Sequence, residues 1–273
     1  MRSFRRLIPL VIAIAATAGC STNPSTGRSQ YILFPPDQVA AMGAEATPEI
    51  IAEFGGEARS SQLRAYVDAV GQRVANEVEP AYHGIQWQFF VLDSDVVNAF
   101  ALPGGRVFVT VGLLSRFDNE AQLAAVLGHE VGHVTARHVD ERLTQQMTVQ
   151  LGVAVIGAST ESALINEGAG LLTQGVLLKF NRSQENESDA QGLKYMTAAG
   201  YDPQAMVEVM TILAEASRGE RPPEILSTHP YPETRLTLIR RTLNGPYAYT
   251  KGDPKYQKYA SRYQRDALPY LRR

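Results

Sequence analysis

The chain has 273 residues, of which 44% are hydrophobic, and its formal net charge at pH 7 is −2. This length suits one globular domain with extensions at its ends. A near-neutral charge is not typical of nucleic-acid-binding proteins, so no nucleic-acid partner is expected.

The first nineteen residues have the composition of a secretory signal peptide. Arg2, Arg5 and Arg6 precede a largely apolar run over 7–18, and small residues lead up to Cys20. The run is too short to span a bilayer, which takes about 20 apolar residues. Removal of residues 1–19 takes away three arginines and no acid, which shifts the formal charge from −2 to about −5.

Cys20 is the only cysteine, so it cannot form an internal disulfide. The segment Thr17–Cys20 resembles the lipobox of bacterial lipoproteins, in which the cysteine is lipidated and becomes the N-terminus. Lipoboxes usually have Leu where Thr17 stands, so a plain secretion signal is the alternative. Ser21, and not Asp, follows the cysteine. By resemblance to the lipoprotein sorting rule of enteric bacteria, this favours the outer membrane. We therefore expect a periplasmic protein of a Gram-negative bacterium, held to the membrane by a lipid on Cys20.

The next segments are predicted to be a tether followed by two helices. Residues 20–36 are rich in Ser, Thr, Asn, Gly and Pro, a composition typical of a flexible tether. A helical region is predicted over 37–54, with Pro48 breaking or restarting it. A second helix ends before Pro80, and its apolar residues share one face. These are Leu63, Val67, Val70, Val74 and Val78.

Three further segments have the composition of strands. Residues 85–92, 96–102 and 107–114 are rich in β-branched and aromatic side chains. A turn at 103–105 separates the last two. The pattern predicts a small sheet packed on helices.

After the sheet the chain is predicted to be helical to about residue 243. Two apolar runs, 151–158 and 169–178, favour a buried helical hairpin over a lid that dips into a membrane. The domain is placed at 37–245. A tail over 246–273 carries Tyr256, Tyr259 and Tyr263 at helical spacing and is expected to pack on that domain. The predicted class is α+β, mainly helical.

The segment 128–133 reads Gly-His-Glu-Val-Gly-His. On a helix, His129 and His133 point to the same side, so both can bind one zinc ion while Glu130 faces an activated water. The competing interpretation is that the motif arose by chance, or that the two histidines have a purely structural role. Asp118 is a plausible N-cap for this helix. Two glycines inside it indicate that another part of the chain approaches its backbone, as a helix bringing a further ligand would.

A zinc hydrolase needs a third protein ligand. The metzincin type would require Gly at 136 and His at 139, where this chain has Ala136 and Val139, and His138 is out of register. A carboxylate is the alternative. The candidates are Glu141, Glu161, Glu167, Glu185 and Glu187. Only Glu185 has an acid, Asp189, four residues on and therefore on the same helical face, whereas Glu187 points away and is predicted to be exposed.

Three segments, 129–133, 182–189 and 229–235, together resemble the M48 zinc metallopeptidases, the family of the CAAX prenyl proteases and the HtpX-like proteases. A fourth, 98–105, is similar to that family's strand before the active-site helix, and 23–28 resembles the start of its lipoprotein members. The resemblance covers about residues 23–243 and is to the soluble periplasmic lipoprotein branch. It implies a zincin-like fold, with a small sheet packed on the helix that carries the zinc-binding motif.

The resemblance also implies roles for individual residues. His129, His133 and Glu185 would bind one zinc ion per chain, with Glu130 as general base and acid. The same resemblance has Asp189 supporting the ligands, His229 stabilising the oxyanion and Arg235 holding the site. It also implies an edge strand that pairs with an extended substrate. That strand comprises Val107, Phe108, Val109 and Thr110.

The resulting hypothesis is a zinc endopeptidase that cleaves unfolded or misassembled cell-envelope proteins. The alternative is a chaperone-like or latent module that binds outer-membrane proteins and cuts rarely, with the segment 149–180 covering the zinc. Hydrolysis of a non-peptide substrate, such as cell-wall material, is a third possibility that no residue specifically supports.

Overall fold

The computed structural model describes residues 20–174, 179–217, 223–230 and 232–271. The predicted signal peptide and the end of the apolar run at 169–178 lie outside these residues. Within them the protein is mainly helical with two small sheets, which confirms the predicted α+β class. Among the described helices, none has both the length and the apolar character needed to cross a bilayer.

The described helices are numbered in chain order. They are α1 (Pro36–Glu53), α2 (Ser61–Ala75), α3 (Val111–Leu114), α4 (Glu120–Thr135), α5 (His138–Leu151), α6 (Val153–Ala158), α7 (Glu161–Thr173), α8 (Arg182–Ala198), α9 (Gln204–Ala216), α10 (Ile225–Thr228), α11 (Pro232–Asn244) and α12 (Ala260–Asp266). The strands are β1 (Cys20–Thr22), β2 (Ser29–Tyr31), β3 (Gln88–Leu92), β4 (Ala99–Leu102) and β5 (Arg106–Thr110).

α1 is one continuous helix, so the predicted break at Pro48 is wrong. A proline inside a helix removes one backbone hydrogen bond. Here the helix buries Met42, Ala46 and Ile50 on one face, and this packing keeps the two halves aligned. Tertiary contacts therefore outweigh the local preference of the proline.

The main sheet has the strand order β3-β5-β4, with β5 parallel to β3 and antiparallel to β4. The prediction that Val107, Phe108, Val109 and Thr110 form an edge strand is therefore wrong, because neighbours pair with β5 on both sides. All four residues are buried. Within the described residues, the outer side of β4 has no strand partner, so β4 is an edge.

β5 is also shorter than predicted, because the chain turns into α3 at its end. The hydroxyl of Thr110 caps this helix by accepting a hydrogen bond from the backbone N–H of Leu113 (3.2 Å). The turn leads directly towards α4, the helix that carries the two histidines.

α4 and α8 cross at short distance because both have small residues at the crossing. A Cβ on Gly132 would lie 2.9 Å from the carbonyl oxygen of Ser188. A Cβ on Gly192 would lie 2.9 Å from the backbone nitrogen of His129. The glycines of α4 thus admit the second helix whose approach the sequence predicted.

We expect Gly192→Ala to lower the free energy of unfolding by about 1–3 kcal/mol, as overpacking of a core does. The added methyl group would push α8 away from α4, which outweighs the roughly 1 kcal/mol that alanine gains in a helix. Urea unfolding measures the difference. Gly170→Ala in α7 is the matched control, because Gly170 is exposed and a Cβ there meets nothing within 4 Å. Equal destabilisation by both variants would contradict the explanation.

Residues 20–36, predicted to form a tether, instead fold against the domain as the hairpin β1–β2 and the start of α1. Asn23 and Gln30 are buried. Their side-chain amides donate to the carbonyl oxygens of Thr135 (2.9 Å) and Ala136 (2.7 Å) at the end of α4. A helix leaves its last carbonyl groups unpaired. The polar side chains of Asn23 and Gln30 therefore pair with carbonyl groups at the end of α4 and do not face solvent as those of a flexible linker would.

The predicted hairpin corresponds to α6 and α7. Leu171 and Leu172 of α7 are buried beside α1. In α6, Val155 is 51% exposed, whereas Ile156 is half-buried and packs against the same core cluster. The predicted hairpin is therefore buried mainly through α7.

The C-terminal residues pack on the domain. The buried Tyr263 donates from its hydroxyl to the carbonyl oxygen of Leu114 (2.6 Å). Arg262 forms an ion pair with the buried Glu120 at the start of α4 (2.8 Å). The tail thus contacts the end of α3 and the start of α4.

Candidate metal centre

α4 brings His129, Glu130 and His133 into the interior of the protein. Its N-cap is Asn119, whose side chain accepts from the N–H of Gln122 (3.1 Å), so the predicted cap at Asp118 is off by one residue. The two histidines lie one helical turn apart, and their Nε2 atoms are 3.1 Å from each other. Both imidazoles therefore aim at one point.

α8 supplies Glu185 to the same point. Its carboxylate is fully buried, with Oε1 3.3 Å from His133 Nε2 and Oε2 3.5 Å from His129 Nε2. A capping box of Asn181 and Gln184 starts α8 and so fixes where Glu185 falls.

Asp189 lies one turn further along α8 and contacts the outer side of His129. Its Oδ1 atom is 3.0 Å from His129 Nδ1. Arg235 of α11, 2% exposed, pairs with Asp189 (2.6 Å) and with Glu185. A carboxylate on the outer nitrogen of a metal-binding histidine fixes the orientation of the ring.

His229, at the end of α10, completes the cluster. Its Nδ1 atom is 3.2 Å from His129 Nε2 and 3.0 Å from Glu185 Oε1. Four residues, His129, His133, Glu185 and His229, each offer one ligand atom within 4.8 Å of the others. Burial lowers the pKa of His229, but the carboxylates of Glu185 and Glu130 outweigh this and raise it.

The protonation states in the centre suit a metal ion. Burial lowers the pKa of His133 well below its ordinary value, and the hydrogen bond to Glu185 opposes this only in part. Burial raises the pKa of Glu185, but the charges of His229 and Arg235 bring it well below the ordinary value. A neutral imidazole and an ionised carboxylate are the forms that bind metals.

The donor set also fits zinc. Two imidazole nitrogens and one carboxylate are ligands that Zn²⁺ takes in hydrolases, and they converge here on one point. Beside them, both carboxylate oxygens of Glu130 are buried without a hydrogen-bond partner among the described residues. Burial raises the pKa of Glu130. A buried carboxyl group without a hydrogen-bond partner, here 3.6 Å from His229 Nε2, is typical of a functional site.

The other acids that could have been the third ligand lie elsewhere. Glu141 binds Arg28 through both of its oxygens (2.9 Å each). Glu161 and Glu167 are exposed on α7. Glu185 is therefore the one candidate of the five that contacts both histidines.

Sequence reasoning missed the contacts of His138 and Glu187. His138 is fully buried, and its Nδ1 atom is 2.9 Å from His133 Nδ1. Glu187, predicted to be exposed, lies 3.0 Å from His138 Nε2. Helical periodicity could not show this, because Arg137 has a positive φ of 55° and turns the chain back between α4 and α5.

Two recesses adjoin the centre. An apolar pocket of about 20 Å³ lies beside Glu130 and His229; its apolar lining is Val126, Met206, Val209, Met210, Leu213 and Ile225. A groove of about 270 Å³ contains Asn98 and Phe100 of the β4 segment and extends to Thr228, next to His229.

Comparisons with known proteins give a family and several relatives. The family model described as Peptidase family M48 matches residues 61–243. The beta-barrel assembly-enhancing protease of Escherichia coli (strain K12) is 35% identical over 195 residues, which cover 67% of this chain and 39% of that protein.

Two mitochondrial relatives are also similar. The mitochondrial metalloendopeptidase OMA1 of Arabidopsis thaliana is 37% identical over 156 residues, 57% of this chain and 31% of that protein. Its namesake in Schizosaccharomyces pombe (strain 972 / ATCC 24843) is 33% identical over 207 residues, 74% of this chain and 60% of that protein. The match thus spans roughly a third to three fifths of these relatives' own lengths.

Proposed function

Because this chain belongs to peptidase family M48, we propose that it is a zinc-dependent endopeptidase that cleaves unfolded or misassembled proteins of the cell envelope. The observation that carries the proposal is the convergence of His129, His133 and Glu185 on one buried point beside Glu130. The resemblance predicted from the sequence is thereby confirmed at the level of the family.

The proposed roles follow from the contacts in the centre. His129, His133 and Glu185 would hold the zinc ion, and Asp189 and Arg235 keep the ligands in place. When bound, zinc acidifies a water molecule and polarises the carbonyl group of the substrate.

Glu130 is the group that would move the proton. Its buried carboxyl group has a raised pKa and no competing hydrogen-bond partner among the described residues. It would take a proton from the attacking water and deliver it to the leaving amine, as a general base and acid. His229, whose Nε2 is 3.6 Å from Glu130 Oε1, would donate to the developing oxyanion.

β4 replaces β5 as the proposed substrate-binding strand. Asn98 and Phe100 line the groove that extends to Thr228, and β4 has no strand partner on its outer side among the described residues. All four residues of β4 are buried, so an extended peptide would pair with this edge through main-chain hydrogen bonds only after the neighbouring elements move. Main-chain pairing accepts many sequences, which suits unfolded substrates. The apolar pocket beside Glu130 has a volume of only about 20 Å³, room for one water molecule, so it would admit an apolar side chain only if its flexible methionines Met206 and Met210 move.

The envelope substrates and the location are proposed from the relatives and the N-terminus. One relative is named a beta-barrel assembly-enhancing protease, which supports substrates from the outer-membrane assembly process. The lipobox-like segment ending at Cys20 supports a lipid anchor in the periplasm, at the outer membrane.

Metal analysis tests the proposal. The purified protein is expected to contain one zinc ion per chain and to cleave casein. Glu185→Gln should release zinc and abolish cleavage, because it removes the charged ligand. Glu167→Gln is the matched control and should keep both properties, since Glu167 is exposed. Loss of zinc from the control instead of from Glu185→Gln would show that the ligand assignment is wrong.

A specific observation favours a second candidate, the latent or chaperone-like module. His229 Nδ1 lies among the ligand atoms, so four protein groups could surround the metal. Structural zinc sites have four protein ligands, whereas catalytic sites leave one position for water. In this conformation His229 would close the centre, and the protein would bind envelope proteins and cut them rarely.

His229→Ala separates the two roles of this histidine. We expect this variant to have a kcat lower by about 10²–10³-fold and an unchanged zinc content, because His229 would no longer donate a hydrogen bond to the oxyanion. Peptide cleavage kinetics with zinc analysis give the measurement. A rise in cleavage would instead identify His229 as a ligand that blocks the site and would favour the latent module.

A further inference from the structure

His133 is the first member of a chain of hydrogen-bonded side chains that leads away from the metal-binding point. Its Nδ1 atom is 2.9 Å from Nδ1 of His138. The other nitrogen of His138, Nε2, is 3.0 Å from Oε2 of Glu187. Both imidazoles are completely buried, so water does not compete for these contacts.

The chemistry of the groups sets the direction of every hydrogen bond in this chain. An ionised carboxylate only accepts, so His138 must carry its proton on Nε2 and donate to Glu187. A neutral imidazole has one N–H, which leaves Nδ1 of His138 as an acceptor. His133 must then donate from Nδ1, and its own Nε2 is left with a free electron pair.

That free electron pair faces the metal-binding point. His133 Nε2 lies 3.1 Å from His129 Nε2 and 3.3 Å from Glu185 Oε1. The opposite arrangement, with His138 donating to His133, would place a proton on His133 Nε2 and prevent it from binding a metal. The carboxylate of Glu187 therefore selects the ligating tautomer of a histidine that it does not touch.

We propose that His138 is a positioning residue that holds His133 in its metal-binding tautomer, and that Glu187 in turn holds His138. This rests on the proposed function, since it takes His133 as a zinc ligand. The two zinc-binding histidines are then oriented differently. Asp189 contacts His129 directly, whereas Glu187 acts on His133 through a second imidazole.

The chain of contacts ends on the N-terminal segment. Arg28 lies in the loop between β1 and β2 and pairs with Glu187 (3.2 Å) as well as with Glu141 (2.9 Å). Its Nε atom lies 3.2 Å from Oε1 and 3.3 Å from Oε2 of Glu187, so Arg28 holds both oxygens of the carboxylate that His138 contacts. The folded segment 20–36 therefore contributes to the orientation of His133.

Zinc affinity and ring protonation test the proposal. His138→Phe keeps a flat ring but removes both nitrogens, and it should weaken zinc binding by about 10–100-fold, as loss of a group behind a metal ligand does. Chelator competition measures this affinity. Nitrogen-15 NMR of the zinc-loaded parent protein should show His133 protonated at Nδ1 and His138 protonated at Nε2.

Glu187→Gln and Glu141→Gln form a matched pair, because both acids bind Arg28 but only Glu187 contacts His138. Glu187→Gln should weaken zinc binding and Glu141→Gln should not. Unchanged zinc affinity in His138→Phe, or a proton on His133 Nε2 in the parent protein, would overturn the proposal. The NMR arm does not depend on a variant that folds. Failure of the parent protein to bind zinc would instead overturn the proposed function.

Discussion

Glu130→Gln is expected to lower kcat/KM for peptide cleavage by about 10²–10⁴-fold while the protein keeps its zinc, since general acid–base catalysis contributes that much. The amide has nearly the shape of the carboxyl group but cannot take a proton from water. Glu130 is not among the four residues that offer ligand atoms, so the metal should remain. Casein or peptide kinetics and zinc analysis on the same preparation give both quantities.

Glu120→Gln is the matched control for this variant. Glu120 is also a buried glutamate of α4, but it lies at the start of the helix, where Tyr66, Tyr201 and Arg262 contact it. Its replacement should leave zinc binding and kcat unchanged even if the protein becomes less stable. Normal cleavage by Glu130→Gln would show that another group accepts the proton.

The same variant offers a way to find the physiological substrates. A centre that keeps its zinc and its substrate-binding edge but does not cut should retain bound proteins long enough for capture. If the captured proteins are not those of the envelope, the peptidase mechanism would stand while the proposed substrate class would fall.

The sequence predicted the parts of the centre that lie within single helices. His129 and His133 share one helical face, as do Glu185 and Asp189, because residues four apart on a helix lie above one another. The glycines of α4 indicated a helix crossing, and α8 is that helix. Local geometry placed each pair on one helical face, and the resemblance to the M48 family selected Glu185 among the candidate acids.

Contacts between separate helices and strands could not be predicted from spacing along the sequence. The position of β5 in the middle of the sheet depends on which strands pair, and composition does not determine pairing. His138 returns to His133 only because Arg137 adopts a left-handed backbone conformation, which an L-residue seldom does. Asn23 and Gln30 resembled a tether because polar composition alone does not distinguish solvated side chains from those that cap a helix end.

Arg235→Ala is expected to lower the free energy of unfolding of the zinc-free protein by about 3–5 kcal/mol, the typical result of removing one partner from a buried ion pair. Arg235 is 2% exposed and contacts the buried carboxylates of Glu185 and Asp189. Without the guanidinium group, two like charges remain close together in the interior with little solvent to screen them. Urea unfolding of zinc-free protein gives the measurement.

Two further substitutions separate the effect of charge from that of packing. Arg235→Lys keeps the charge but loses the planar fork that binds both carboxylates, so its destabilisation should lie between those of the parent and Arg235→Ala. Arg240→Ala removes an exposed arginine of the same helix and should change stability by no more than about 0.5 kcal/mol. If Arg235→Ala were as mild as Arg240→Ala, a buried carboxylate of the variant would have to take up a proton once the guanidinium is gone. Zinc uptake by zinc-free Arg235→Ala would then release a proton that zinc uptake by the parent protein does not.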